Sequence, residues 1–134
     1  MRHKKDLREN SNVGQRIGMG VDIEEVARFC NLSRTHHRRF LERVFTLREQ
    51  RYCFSKKNPA PHLATRFCAK EAVVKAMASL GVHKIPYRSI EIVHVEEGVP
   101  NIKLVTQYKN YAMFVSLSHT KDYAIASVMV THNL

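Results

Sequence analysis

Apolar and polar positions change their period along this chain, and the changes mark its elements. Between Ile17 and Ile23 they alternate, with Ile17, Met19, Val21 and Ile23 on one side and Gly18, Gly20 and Asp22 on the other. That is the period of a strand. Residues 24–30 read as a short helix, and residues 31–45 as a loop and a second helix. Thr46 with Glu49 three positions on is a capping box, which opens a helix running to about residue 54. Asn58-Pro59-Ala60-Pro61 interrupts the chain, and a long central helix of Ala and unbranched residues follows over 64–77, stopping near Gly81. After Pro86 the period falls to two. Strands are expected at 90–95, 100–105, 114–118 and 123–130, with turns at 96–98 and 119–122 and one or two helical turns within 106–113. A mostly helical half followed by a run of strands predicts an α+β fold, with an antiparallel sheet packed against the central helix.

The central helix carries charge where a core-facing helix should not. On a wheel, Leu63, Phe67, Val74 and Met77 form an apolar stripe with Lys70 in its middle, Glu71 at its edge and Lys75 one turn further. A surface pair between Glu71 and Lys75 would account for those two. It leaves Lys70 unexplained, and a buried charge needs a partner or a charged ligand. On the first strand, Asp22 lies beside two glycines, whose missing side chains leave room for a hydrated cation or a phosphate. A solvent-facing Asp with Gly at a bulge fits that pattern equally.

Composition narrows the class. The chain has 134 residues, 44% hydrophobic and 25% charged, enough for one core. Its net charge of +10 favours a polyanionic partner: nucleic acid, a phosphorylated small molecule or an acidic protein. It has no Trp, and no basic run is interleaved with aromatics, which disfavours binding of stacked single strands. Three cysteines without a Cys-x-x-Cys spacing disfavour a disulfide framework or structural zinc, and place the chain in a reducing compartment, the cytoplasm. Residues 1–15 are polar and without period, read as a flexible extension before a single domain over 16–134. No apolar core follows the basic start, and no run reaches membrane-spanning length.

Several familiar chemistries are excluded. Gly18-x-Gly20 lacks the third glycine of a dinucleotide fingerprint, since Ile23 stands there. No Walker loop and no nucleophile elbow occur, and Ser118 and His119 are adjacent, so in a strand they diverge. What remains is two lone carboxylates, Asp22 and Glu71, with Arg66, Lys70, Lys75 and His119 for positive charge. A few hard oxygens suit Mg²⁺ shared with phosphate oxygens, the equipment of phosphoryl-type transfer.

Five blocks in order carry a family resemblance. Gly20-Val21-Asp22-Ile23-Glu24-Glu25-Val26-Ala27-Arg28-Phe29 is similar to the Gly-x-Asp opening of holo-acyl-carrier-protein synthases, the 4′-phosphopantetheinyl transferases. Phe40 to Thr46 resembles their second block. Arg66-Phe67-Cys68-Ala69-Lys70-Glu71-Ala72-Val73-Val74-Lys75-Ala76 resembles their Arg-Phe-Ala-Ala-Lys-Glu-Ala-x-x-Lys-Ala signature. Ser89-Ile90-Glu91-Ile92 with Gly98-x-Pro100, and Ser116 to Thr120 with Asp122-Tyr123-Ala124, complete the series. The resemblance implies transfer of phosphopantetheine from coenzyme A to a serine of apo-acyl carrier protein, leaving adenosine 3′,5′-bisphosphate. It implies Mg²⁺ at Asp22 and Glu71, with Glu71, Lys75 and Asp22 as catalytic residues. Coenzyme A would be held by Arg66, Lys70, Lys75, Ser79, Ser118, His119 and Thr120, and the acidic carrier by Arg28 and Arg39. It also implies a homotrimer with active sites between subunits, without nucleic acid or membrane. Where relatives have a Gly-Thr-Gly-like stretch after the signature, this chain has Ala78-Ser79-Leu80. The rival readings are a small basic nucleic-acid-binding domain, which has no use for Asp22 and Glu71, and a family member without catalysis.

Overall fold

A computed structural model describes residues 14–94, 98–104 and 106–133. The extension expected over 1–15 therefore lies outside the described residues up to position 13, and Gln15 already belongs to the first strand; the turn expected at 96–98 is described only at Gly98. Strand β1 spans Gln15–Glu25 and ends in a 3-10 turn, Val26–Phe29. Three helices follow: α1 Arg38–Val44, α2 Leu47–Phe54 and α3 Pro59–Ser79. A 3-10 turn at Tyr87–Ser89 leads into β2 Ile90–His94 and β3 Pro100–Leu104; β4 Tyr111–His119 and β5 Tyr123–Asn133 close the chain. Among the described residues no helix is long and apolar enough to cross a membrane.

The strands form two sheets rather than one. β1, β5 and β4 make an antiparallel three-stranded sheet in that order, while β2 and β3 pair as a separate hairpin. The first and last strands are neighbours, so Asp22 lies opposite Ala126 and His119 opposite Ala124 on the same sheet. Local signals explain most boundaries. Thr46 and Glu49 close both halves of the capping box at the start of α2. The two prolines expected to precede the central helix lie inside its first turn, where a missing N–H costs nothing. Glu24 and Glu25 extend β1 instead of starting a helix, because the strand keeps its ladder with Ala124 and Tyr123.

Two expectations about burial fail, for one reason. α3 is covered on most sides, not along one stripe. Leu63, Lys70, Val73 and Met77 are buried, and so are Ala64, Cys68, Ala69, Ala72 and Ala76, whereas Phe67 and Val74 are half-buried. The small residues let β1 come close. A Cβ placed on Gly20 would stand 2.1 Å from the Ala72 carbonyl oxygen, and one on Gly18 2.3 Å from that of Ala76. The space beside Asp22 expected from the missing glycine side chains is therefore filled by helix backbone. The alternate face of β1, with Ile17, Met19, Val21 and Ile23, is the exposed one.

Candidate active site: an acid cluster beside a basic pocket

The inward face of β1 continues past Gly20 to Asp22 and then Glu24. α3 meets it there: the Cys68 thiol donates to the Asp22 carbonyl at 3.0 Å, and Lys75 Nζ reaches Asp22 Oδ1 at 3.0 Å and the Val21 carbonyl at 3.1 Å. Lys75 thus bonds Asp22 across the strand–helix junction and not Glu71 along the helix. Asp22 is 11% exposed in its side chain, and its Oδ2 is buried without a hydrogen-bond partner among the described residues. Such an oxygen is open to a cation or to the proton of the neighbouring Glu24 carboxyl. Glu71, one turn before Lys75, accepts a hydrogen bond from the Tyr87 hydroxyl through Oε1.

The electrostatics join these groups. Burial raises the Glu24 carboxyl, hydrogen bonding to Asp22 and the charges of Asp22 and Glu71 push it further, and Arg28 opposes them; the outcome is about 7. Three carboxylates therefore crowd one another, with Lys75 and Arg28 as their cations. Lys75 is raised, chiefly by its hydrogen bond to Asp22. Burial and the Glu71 carboxylate push the Tyr87 phenol up to about 12, so it stays a donor. Among the described residues no three His, Cys, Asp or Glu side chains converge as a complete metal cage. Asp22 and Glu71 offer oxygens for a cation that keeps waters or shares substrate oxygens, as Mg²⁺ does, and the orphaned Asp22 Oδ2 fits that use.

Arg66, five residues before Glu71, opens onto different ground. It is 3% exposed, its Cζ sits 4.2 Å from the Tyr52 ring centroid, and its Nε has no partner among the described residues. It borders two adjoining hollows. One, of about 240 Å³, is lined by Tyr52, His62, Thr65, Arg66, His94, Leu117 and His119 among others; the other, of about 140 Å³, adds Arg48. Burial first, then the Arg66 and Lys56 charges, hold His62 and His94 below the ordinary imidazole range. The guanidinium groups of Arg66 and Arg48 are the fixed positive charges of these hollows, and they suit a phosphate.

The remaining expected residues divide. Arg28 reaches Glu24 at 2.5 Å and borders an apolar groove of about 150 Å³ with Phe29, Leu32, Phe40 and Phe67. Arg39 is exposed on α1. Ser79 donates to the Ala76 carbonyl at the end of α3, beside Gly18. Ser118 faces outward on β4, away from Leu117 and His119. Thr120 closes the turn into β5, its hydroxyl oxygen accepting from the Asp122 and Tyr123 amides. Lys70 is a correction. It is fully buried, and its three donors go to Glu49 Oε1 at 2.7 Å, the Tyr87 carbonyl at 2.9 Å and the Ile90 carbonyl at 2.6 Å. An ammonium has three protons, so none remains for coenzyme A. Glu24, Tyr52, His62, Tyr87 and His94 were missed. Glu24 shares the period of Asp22, and His62 lies one turn before Arg66, so both had a signal; Tyr87 and His94 had none.

Comparison with known proteins places these residues in a family. The family profile described as "4'-phosphopantetheinyl transferase superfamily" matches residues 18–128. The holo-[acyl-carrier-protein] synthase of Thermodesulfovibrio yellowstonii is 40% identical over 114 residues, covering 85% of this chain and 97% of its own. That of Chlorobaculum parvum is 38% identical over 112 residues, covering 84% and 96%. Among solved structures, the Helicobacter pylori holo-[acyl-carrier-protein] synthase in complex with coenzyme A superposes with a TM-score of 0.71 at 31% identity, covering 84% of this chain and 98% of that one. With the matched span running from the inward face of β1 to β5, the chain belongs to the 4′-phosphopantetheinyl transferase superfamily.

Proposed function

We propose that this protein transfers 4′-phosphopantetheine from coenzyme A to a serine of apo-acyl carrier protein. The observation that carries the reading is the orphaned, buried Asp22 Oδ2 beside Lys75 and Glu71, on the helix that also carries Arg66 in the basic pocket. Five residues along a helix is a rise of roughly 7.5 Å. That separation suits a nucleotide whose diphosphate and further phosphate must be held at two places. Arg66 and His119 hold the 3′-phosphate side, while Lys75 meets the diphosphate and orients Asp22. Asp22 and Glu71 would hold Mg²⁺, which when bound would neutralise charge building on the diphosphate. The carrier serine oxygen bonds to the pantetheine-side phosphorus, the anhydride bond breaks, and adenosine 3′,5′-bisphosphate leaves with the electron pair. The serine proton departs to a water held by the Glu71 carboxylate.

The carrier docks on the groove bordered by Arg28, with Arg39 contributing charge; a basic rim around Phe29, Phe40 and Phe67 suits an acidic amphipathic helix. The enzyme acts as a homotrimer in the cytoplasm, in lipid synthesis. The exposed apolar sheet face supports self-association, and the unbridged thiols of Cys30, Cys53 and Cys68 support the reducing location. The test is mass spectrometry of an apo-carrier incubated with the protein, coenzyme A and Mg²⁺. The carrier gains the mass of phosphopantetheine, and Glu71→Gln lowers the rate on the order of 100-fold without unfolding the protein. Absence of the gain with acidic carriers of either fatty-acid or polyketide type would refute the reading.

A further inference from the structure

Tyr87 is the one side chain outside α3 that bonds directly to Glu71 among the described residues. Its own position is fixed from three directions. Its carbonyl accepts from Lys70 Nζ at 2.9 Å, and Lys70 is locked by the buried pair with Glu49. Its ring lies 5.7 Å from that of Phe67, which in turn lies 5.6 Å from Phe29. Pro86 precedes it and Ser89 N closes the short turn onto the Pro86 carbonyl at 3.0 Å. A phenol held this firmly is a fixed donor aimed at a carboxylate whose terminal torsion is otherwise soft.

We propose that Tyr87 is a positioning residue for Glu71: its hydroxyl occupies Oε1 and so presents Oε2 alone to the divalent cation. The inference rests on the reading of Asp22 and Glu71 as the metal-binding pair. Without the phenol, Glu71 rotates freely, competes for its own lysine one turn on, or takes the cation through both oxygens. Partners that orient metal-ligating carboxylates are worth about 10–100-fold in metal affinity or activity when removed. Tyr87 also bonds through its carbonyl to Lys70, so the buried ion pair acts on the site through this residue and not by touching the substrate.

Tyr87→Phe keeps the ring against Phe67 and the carbonyl for Lys70, and removes only the hydroxyl. Mn²⁺ is titrated by electron paramagnetic resonance with coenzyme A at saturation, alongside transfer kinetics. The expected result is about 10-fold weaker Mn²⁺ binding and a lower kcat, with KM for the carrier and the melting temperature close to wild type. Tyr87→Leu, lacking ring and hydroxyl, shows the same loss of Mn²⁺ affinity and a lowered melting temperature, which separates packing from positioning. Mn²⁺ affinity and kcat within twofold of wild type in Tyr87→Phe, beside a crippled Glu71→Gln, overturn the role of Tyr87 and leave the metal pair standing. Unchanged Mn²⁺ affinity in Asp22→Asn and Glu71→Gln overturns the metal reading beneath it.

Discussion

Lys70 and Glu49 show what a single pair can hold together. Glu49 accepts from the Thr46 amide, the Ile92 amide and Lys70, so the start of α2, strand β2 and α3 meet at one carboxylate. Burial pulls the Lys70 ammonium below the ordinary lysine range and Glu49 pulls it back. Removing one member strands the other in the core. Lys70→Met is therefore expected to lower stability by about 3–5 kcal/mol in urea unfolding. A selective loss of coenzyme A binding at full stability would restore the ligand role the sequence suggested. The sequence made Lys70 conspicuous because it sits in an apolar stripe, but its partner lies 21 positions away and no local pattern points there. The histidines of the basic pocket set a pH dependence. His62 and His94 are held below the ordinary value of 6.5, so between that value and their depressed ones the unfolded chain binds more protons than the native chain. Stability present above pH 6.5 is lost as the pH falls through that window. Urea midpoints at pH 7.5 and 5.5 should differ by less in His62→Asn/His94→Asn than in wild type.

At the scale of elements, the junction of β1 and α3 positions the acids. Glycine on one side and alanine on the other bring strand and helix backbones together, and this contact puts Lys75 within reach of Asp22. Gly20→Ala forces a methyl toward the Ala72 carbonyl and the Ala76 amide, both backbone atoms that cannot swing aside. The expected cost is about 3 kcal/mol or more, with loss of transfer because Asp22 shifts with the strand. Thermal melting and the mass-spectrometric assay read the two effects; an unperturbed variant would mean the junction is looser than its geometry. Much of this scale was legible. Period two gave β1, the capping box gave α2, and the Ala-rich run gave α3, since each is a local signal. The pairing of β1 with β5 was not legible, because partners 98 to 118 positions apart leave no periodic trace. Nor was the side of β1 that faces the core. Alternation gives two faces, and only the fit of glycine against alanine decides which one α3 covers.

The choice of face sets the behaviour of the whole molecule. The outer face of the three-stranded sheet carries Ile17, Met19, Val21 and Ile23 from β1, Phe114 from β4 and Ile125 from β5, each between 42% and 67% exposed. Phe114 stands opposite Met129, and Met129 opposite Met19, so an apolar row crosses all three strands. An exposed apolar face of this kind suits a surface for another protein. Its residues alternate strictly with the inward ones, so covering it leaves the core untouched. A second and third copy of the chain are the occupants expected from the family resemblance, and Ser118 would then enter the site from the interface side. Sedimentation equilibrium should give a trimer for the wild-type protein. Val21→Lys, between Met19 and Ile23 on β1, should give a monomer at the same concentration, with the fold retained because Val21 is exposed. If active sites form between subunits, that monomer loses transfer activity although Asp22, Glu71 and Arg66 are all present. A wild-type monomer, or a Val21→Lys monomer with full activity, would place the complete site within one chain.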